Sequence, residues 1–366
     1  PITGCSVVSP GCTNCYAMKL AGGRLQHHPS RKGLTDPSKA GSVWNGEVRL
    51  NENWLTQPLH WSKPRKVFVC AHGDLFHESV PDEWIDRVFA VMALCPQHTF
   101  QVLTKRADRM REYMASAQRR IMNDVCEGVI EMQLKVALSH RPENDERAAK
   151  FGHPVVRLYQ WPLKQVWLGV SVEDQTRADE RIPALLDTPA AVRFVSAEPL
   201  LGPVDLDEIR SPEMWGANPD GWTFSALEEG DYYTHTENGL STSGDGPYRE
   251  TKLDWVIVGG ESGHKARPMH PDWARGLRDQ CTAAGVPFFF KQWGAWQSVI
   301  DRDLDDPDWR QDYTRADRNP NRYRIHNLEG GTGFHGERVQ LMQRTSKNEA
   351  GNQLDGKTWQ QMPEVG

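Results

Sequence analysis

At 366 residues the chain is long enough for one large α/β domain with insertions or for two domains, with apolar content sufficient for a buried core. A net charge of −6 excludes nucleic-acid binding driven by overall charge, though it leaves room for a local basic groove. No apolar run is long enough to span a bilayer, and seven cysteines, an odd number with no secretory signal ahead of them, lead us to expect a reduced, cytoplasmic protein without a disulfide framework.

The first element of the chain is also its most informative. In the string GCSVVSPGCTNCYA, Cys5, Cys12 and Cys15 fall within eleven residues, and Gly4, Pro10 and Gly11 supply turns that let the three thiols converge. A structural zinc site or an ordinary ferredoxin-type cluster takes four protein ligands, so three thiolates leave one coordination position open to something that is not protein. Zinc with His27 or His28 as fourth ligand is the competing reading. Cys70, Cys95, Cys126 and Cys281 stand apart, in apolar or helix-like contexts, and read as core or surface thiols.

Further along, short apolar runs at 67–70, 99–103, 166–170, 192–195, 255–258 and 286–290 have the length and β-branched or aromatic content of strands covered on both faces. Helical patterns at 81–95, 174–186 and 271–284 lie between them, with Pro81 and Pro271 at helix starts and Gly285 at an exit. Repeated strand then helix predicts βα units and a parallel sheet or barrel.

Polar residues follow each strand in turn: Asp74 and His77, Thr104 and Lys105, Ser171 and Glu173, Glu198, Glu261, then Lys291, Gln292 and Trp293. In a barrel, strand carboxyl ends converge on one mouth, so these residues are candidates for an active site built from six loops. The basic run Arg106, Arg109, Arg111, Arg119 and Arg120 reads as a solvated helix face. Most of the fourteen tryptophans are assigned to packing beneath loops, although some at loop positions suit base stacking. Residues 119–165 and 205–252 are long insertions, expected to be lids, binding elements or disordered segments, and 294–366 reads as a polar C-terminal extension or cap on a 1–293 barrel.

The strings PITGCSVVSPGCTNCYA, FVCAHGDLFHESVP, TFQVLTKRADRM, LGVSVEDQTRADERIPALL, VRFVSAEPLLGP, DWVIVGGESG, VPFFFKQWG and LDGKTWQQMP give the chain, over most of its length, a resemblance to a known family. It resembles the phage-associated, radical-SAM-like family of unknown function whose relatives include the spore photoproduct lyase group.

The resemblance implies a partial (β/α) TIM-like barrel holding a 4Fe-4S cluster on Cys5, Cys12 and Cys15, with S-adenosyl-L-methionine on the unique iron. An external electron donor would reduce the cluster, and a 5′-deoxyadenosyl radical would abstract hydrogen from substrate. Six residues rather than the commoner three separate Cys5 from Cys12, a wide spacing similar to that of the family. By position, Tyr16 would pack on adenine and Asp74 would meet the methionine end of the cofactor. Ser171, Glu173 and Arg181 would contact its ribose or carboxylate, with Glu198 as a further cofactor contact. Thr104 and Lys105 match a threonine-lysine pair that lyase-like relatives carry at a strand end. The family pattern also begins with a strand ahead of the cysteine loop, and the notation Pro1 leads to the expectation that this strand lies outside the numbering.

Lys105, Glu261, Lys291 and Trp293 are the expected catalytic residues, the last three on the substrate side. GGESG offers close backbone approach, and Lys291 is expected either to pair with Glu261 or to meet an anionic substrate. The expected activity is a radical S-adenosylmethionine enzyme modifying or repairing a nucleic-acid base or nucleotide. A peptide-modifying radical enzyme, or a non-catalytic zinc or iron–sulfur module that recruits a partner protein, are the alternatives.

Overall fold

A computed structural model describes residues 1–39, 41–123, 161–210, 222–237, 240–303, 305–332 and 338–364. The middle of the first insertion, with Cys126, and part of the second lie outside the described residues. The chain divides into two compact units: residues 1–170 with 184–193, and residues 171–183 with 194–364.

In the first unit, β1 (Ile2–Gly4) leads into the cysteine loop, so a strand ahead of that loop, expected to lie outside the numbering, is present; the loop ends where α1 (Tyr16–Ala21) begins. A hairpin of β2 (Thr35–Ser38) and β3 (Gly41–Trp44) follows, then β4 (Arg49–Leu50) and the short α2 (Glu52–Leu55). Next come β5 (Lys66–Val69), β6 (His72–Gly73), α3 (Asp82–Ala93), β7 (Thr99–Thr104), α4 (Ala107–Asn123) and β8 (Val166–Ser171). Apolar spacing forms α3: Ile85, Phe89 and Met92 recur at helical period and are buried, while Asp82 and Glu83 occupy the first turn, where the helix dipole favours carboxylates. β5, β7 and β8 pair in parallel, and β1 pairs in parallel with β6 at Thr3 and His72 and antiparallel with β4.

The second unit holds α5 (Gln175–Leu186) in part, then β9 (Val192–Ala197), β10 (Ile209–Arg210), β11 (Trp222–Phe224), β12 (Gly230–Glu237), β13 (Leu240–Arg249) and β14 (Trp255–Gly259). Then α6 (Pro271–Ala283) begins with Pro271 and is capped by His270, whose side chain accepts from the Asp272 N–H. β15 (Phe288–Gln292), β16 (Trp296–Asp303), α7 (Trp309–Arg318), β17 (Tyr323–Asn327) and β18 (Arg338–Arg344) follow, then a helical turn at Lys347–Ala350 and a small hairpin of Gln353–Leu354 with Lys357–Thr358. β14 pairs in parallel with both β9 and β15. The parallel strands follow the order β15-β14-β9-β8-β7-β5, a six-stranded half-barrel sheet of the mixed α/β class.

All six predicted strands and all three predicted helices are present, within a few residues of their expected bounds. The expectation of strands covered on both faces holds for β8, buried at every position, and fails for β5, where Phe68 is 47% exposed. β5 ends the sheet order, so one of its edges has no strand partner in that sheet. At the other end, β15 is met by the C-terminal segment: the Phe290 N–H donates to Trp359 O at 2.9 Å and the Gln361 N–H to Phe288 O at 3.2 Å.

Two further regions hold regular structure in their described residues. The described part of 205–252 forms an antiparallel sheet, β10-β11-β12-β13, with β12 and β13 in register from Tyr232 opposite Asp245 to Glu237 opposite Leu240. The polar C-terminal region is also ordered in its described residues, with β16, β18 and β17 antiparallel and Tyr323, Ile325, Val339 and Leu341 buried in a small core of their own.

Candidate functional site

The cysteine loop starts from a position that only glycine fills easily. Gly4 has φ +94°, and a Cβ there would collide with the Glu47 carbonyl, so the chain can turn Cys5 out of β1 only without a side chain at the preceding residue. Residues Pro10–Cys12 form a single 3₁₀ turn in which the Cys12 N–H donates to Ser9 O at 2.9 Å, and the Cys15 N–H donates to Cys12 O at 3.1 Å. Cys15 sits at the N-cap of α1, and Cys5 and Cys15 both pack against the cluster of Ala17, Met18, Ala21, Leu34 and Trp44.

Two strand ends in the same unit close on this loop. Asp74, just beyond β6 and 5% exposed, accepts from Thr104 Oγ1 at 2.7 Å, the Phe76 N–H at 3.0 Å, the Lys105 N–H at 3.1 Å and Arg106 Nη1 at 3.1 Å. Two carboxylate oxygens offer about four acceptor sites, so protein donors fill the set. Lys105 Nζ donates to Ser9 Oγ at 2.8 Å, and that hydroxyl lies 3.7 Å from Cys12 Sγ. Arg106 reaches the other side of the loop, with Nη2 donating to Ser6 Oγ at 2.7 Å and Nη1 lying 3.5 Å from Cys5 Sγ. Its Nε donates to Glu78 at 3.2 Å.

His77 completes the network. Its Nδ1 accepts from the Ser79 N–H at 3.1 Å, which leaves the proton of the neutral ring on Nε2, 3.0 Å from Ser6 Oγ. Burial, reinforced by Arg106, holds the His77 pKa below the ordinary histidine value, in keeping with that neutral form.

The thiols are not equivalent. Burial pushes Cys5 up to about 12 despite the neighbouring Arg106. Cys12 moves the other way: burial opposes ionisation, yet the Lys105 ammonium and hydrogen bonds from Val8 and Ser9 bring it below the usual thiol range. Tyr16, directly after Cys15, donates its hydroxyl to Ala71 O at 2.6 Å while its ring stays 57% exposed.

The other predicted residues belong to the second unit. Arg181 Nη1 donates to Glu173 Oε2 at 3.0 Å and to Ser171 O at 2.7 Å, and Glu173 is fully buried, so the guanidinium and the carboxylate form an internal ion pair. At the ends of β9 and β15, Lys291 Nζ lies 2.6 Å from Glu198 Oε2 and Gln292 Nε2 donates to Glu198 Oε1 at 2.8 Å. Glu261 is clamped by Arg267 through Nη2 at 2.7 Å, Nε at 3.0 Å and the backbone N–H at 2.8 Å. The expected pairing of Lys291 with Glu261 is therefore corrected: Lys291 meets Glu198, and a bidentate guanidinium holds Glu261. Trp293 Nε1 donates to Gln353 O at 2.7 Å, which ties the ring to the C-terminal segment. The close approach expected at GGESG holds at Gly260, where a Cβ would strike the Trp293 carbonyl, and at Gly259, where it would crowd the Glu198 side chain, but fails at Gly263, which faces open space.

Sequence reasoning missed Ser6, Ser9, Glu78 and above all Arg106. The solvated-face reading fails for Arg106, which is 7% exposed, because it precedes α4 and turns into the cysteine loop, while Arg109 and Arg111 on the helix pair with Asp82 and Asp108. Arg119 and Arg120 fall where side chains are outside the description. The available signal was position: Arg106 extends the polar strand-end pair Thr104-Lys105.

Among the described residues no three His, Cys, Asp or Glu side chains are grouped as a metal site, so the loop is not a preformed cage. Its donor types are those of an iron–sulfur ligand set, three thiols on one eleven-residue loop, with Lys105 bonded to Ser9 and Arg106 beside Cys5 to offset thiolate charge. No helix among the described residues is long and apolar enough to cross a membrane.

Fold and site together define an α/β half-barrel protein with a cysteine loop held at parallel-strand ends by paired cations. The chain belongs to the family described as protein of unknown function (DUF5131), whose model matches residues 1–363. No curated protein and no solved structure matches it.

Proposed function

We propose that this chain is an iron–sulfur, S-adenosylmethionine-dependent radical enzyme on a partial TIM-like barrel, with a nucleic-acid base or nucleotide as its substrate class. The observation that carries the reading is the clamping of the three-cysteine loop by Lys105 and Arg106 from the end of β7. Cys5, Cys12 and Cys15 would hold a 4Fe-4S cluster, which when bound supplies one-electron reduction of the sulfonium of S-adenosylmethionine at the iron without a protein ligand.

The chain's own groups have separable parts. Asp74 orients Thr104, Lys105 and Arg106 and is saturated by them, so it acts by positioning. Lys105 lowers the cost of a thiolate at Cys12. The exposed Tyr16 ring offers a flat face beside the last cysteine for the adenine. Glu198, Lys291 and Trp293, at and beyond the ends of β9 and β15, are assigned to substrate, with Glu261 holding the neighbouring loop through Arg267. The base or nucleotide assignment rests on the likeness to lyase-type proteins, and an external reductant and a cytoplasmic setting go with it.

Anaerobic reconstitution with iron and sulfide, followed by assay for 5′-deoxyadenosine under reducing conditions, tests the proposal. The expected result is a brown, oxygen-sensitive protein that forms 5′-deoxyadenosine and loses its colour when Cys5, Cys12 or Cys15 is replaced by alanine. Tight zinc without iron would favour the non-catalytic module, and a cluster without 5′-deoxyadenosine would remove the radical chemistry.

A further inference from the structure

Cys5 lies just beyond β1, part-buried against the cluster of Ala17, Met18, Ala21, Leu34 and Trp44, with its sulfur next to a fixed cation. The group facing it is Arg106, whose guanidinium spreads its donors over three partners around the loop: Asp74 Oδ2 at 3.1 Å, Ser6 Oγ at 2.7 Å and Cys5 Sγ at 3.5 Å. Glu78 accepts from Nε at 3.2 Å and fixes the remaining edge. A planar fork held on several sides cannot swing away, so its N–H points at the sulfur whether or not the sulfur is charged.

We infer that Arg106 is a positioning residue for Cys5: its N–H···S bond fixes the direction of the sulfur and places a held positive charge beside it, and so governs how tightly the cysteines take up a metal and at what potential the bound group is reduced. The potential part rests on the iron–sulfur reading, whereas the metal-uptake part holds for any thiophilic metal. Lys105 and Arg106, consecutive in sequence, thereby divide the loop, one serving Cys12 through Ser9 and the other Cys5 directly. Adding an electron makes a cluster more negative, and a fixed cation with a hydrogen bond to its sulfur stabilises the reduced state.

The test compares wild type with R106Q and R106K using two probes. Anaerobic, metal-free protein is titrated with Co(II) while thiolate-to-cobalt absorption is followed, and reconstituted protein is poised at a series of potentials and read by electron paramagnetic resonance. R106Q is expected to lose at least tenfold in Co(II) affinity, with R106K recovering most of it. The R106Q cluster is expected to be at least tenfold harder to reduce, a shift of about 59 mV for one electron. Cobalt affinity and potential both unchanged in R106Q overturn the inference, as does a wild-type protein without the cobalt–thiolate band. If wild type takes up no iron and sulfide while R106Q still loses cobalt affinity, the iron–sulfur reading falls and the role of Arg106 at Cys5 stands. Should R106Q fail to fold, the D74N/R106Q double variant removes the stranded carboxylate, and wild-type cobalt affinity in that protein overturns the inference equally.

Discussion

Lys291 Nζ donates to Glu198 Oε2 at 2.6 Å, and Gln292 Nε2 takes the other oxygen of the same carboxylate at 2.8 Å. One carboxylate at the end of β9 thus gathers two consecutive side chains at the end of β15. The lysine is half exposed, so water and salt screen the pair, and such pairs contribute roughly 0.2–1 kcal/mol. Lys291→Met should therefore lower unfolding free energy by less than about 1 kcal/mol in urea denaturation. Iron content and S-adenosylmethionine binding should persist while substrate turnover falls, and loss of folding or of cluster in this variant would assign Lys291 a structural part.

Glu173 and Arg181 make the opposite kind of pair. Both are buried, at 0% and 5% exposure, and their 3.0 Å contact lies where solvent cannot replace a missing partner. Glu173→Gln removes the carboxylate that faces a buried guanidinium and should cost on the order of 3–5 kcal/mol of unfolding free energy in urea denaturation. Replacing both by methionine should recover much of that loss, since a packed apolar pair avoids the desolvation cost. A single variant as stable as wild type would contradict this internal role.

These two pairs show where the sequence was legible. The strands were readable because buried parallel strands are short, apolar and bounded by turns, a local signal that β8, buried at every position, carries in full and β9 at every position but Arg193. Strand-end polar residues were readable for the same reason, and Asp74, Thr104 and Lys105 do meet at the cysteine loop. Partner choice was not legible. Lys291 and Glu198 lie 93 residues apart and Arg106 and Cys5 101 apart, and no local pattern says which carboxylate or thiol a cation will reach. Arg106 was hidden further by its company, because a run of arginines at helical spacing looks the same whether its first member points outward or inward.

The pH dependence of stability should be set in part by His326. Burial, with smaller contributions from His270 and Arg324, depresses its pKa from 6.5 to about 4. Between those values the unfolded chain takes up a proton that the folded chain refuses. The contribution is therefore complete above pH 6.5 and is lost as pH falls towards 4, by up to about 3 kcal/mol. Urea midpoints at pH 7 and pH 4.5 should differ more in wild type than in His326→Gln, and equal differences would exclude this histidine as a source of acid sensitivity.

The two cations beyond β7 also make a prediction about the metal-free thiols. Only the thiolate attacks an alkylating agent, so rate follows ionisation as well as access. Lys105 brings Cys12 below the ordinary thiol range, whereas burial pushes Cys5 and Cys281 up to about 12. At pH 8, iodoacetamide should modify Cys12 at least tenfold faster than Cys5 or Cys281, read by peptide mass spectrometry; that is a conservative bound, since each pKa unit is a factor of ten in thiolate below the pKa. Lys105→Met should slow Cys12 and leave Cys281 unchanged, because the ammonium acts on Cys12 through space and through Ser9. If Cys12 reacts at the same rate in both proteins, Lys105 does not set its ionisation, and the charge assigned to the cysteine loop must come from another group.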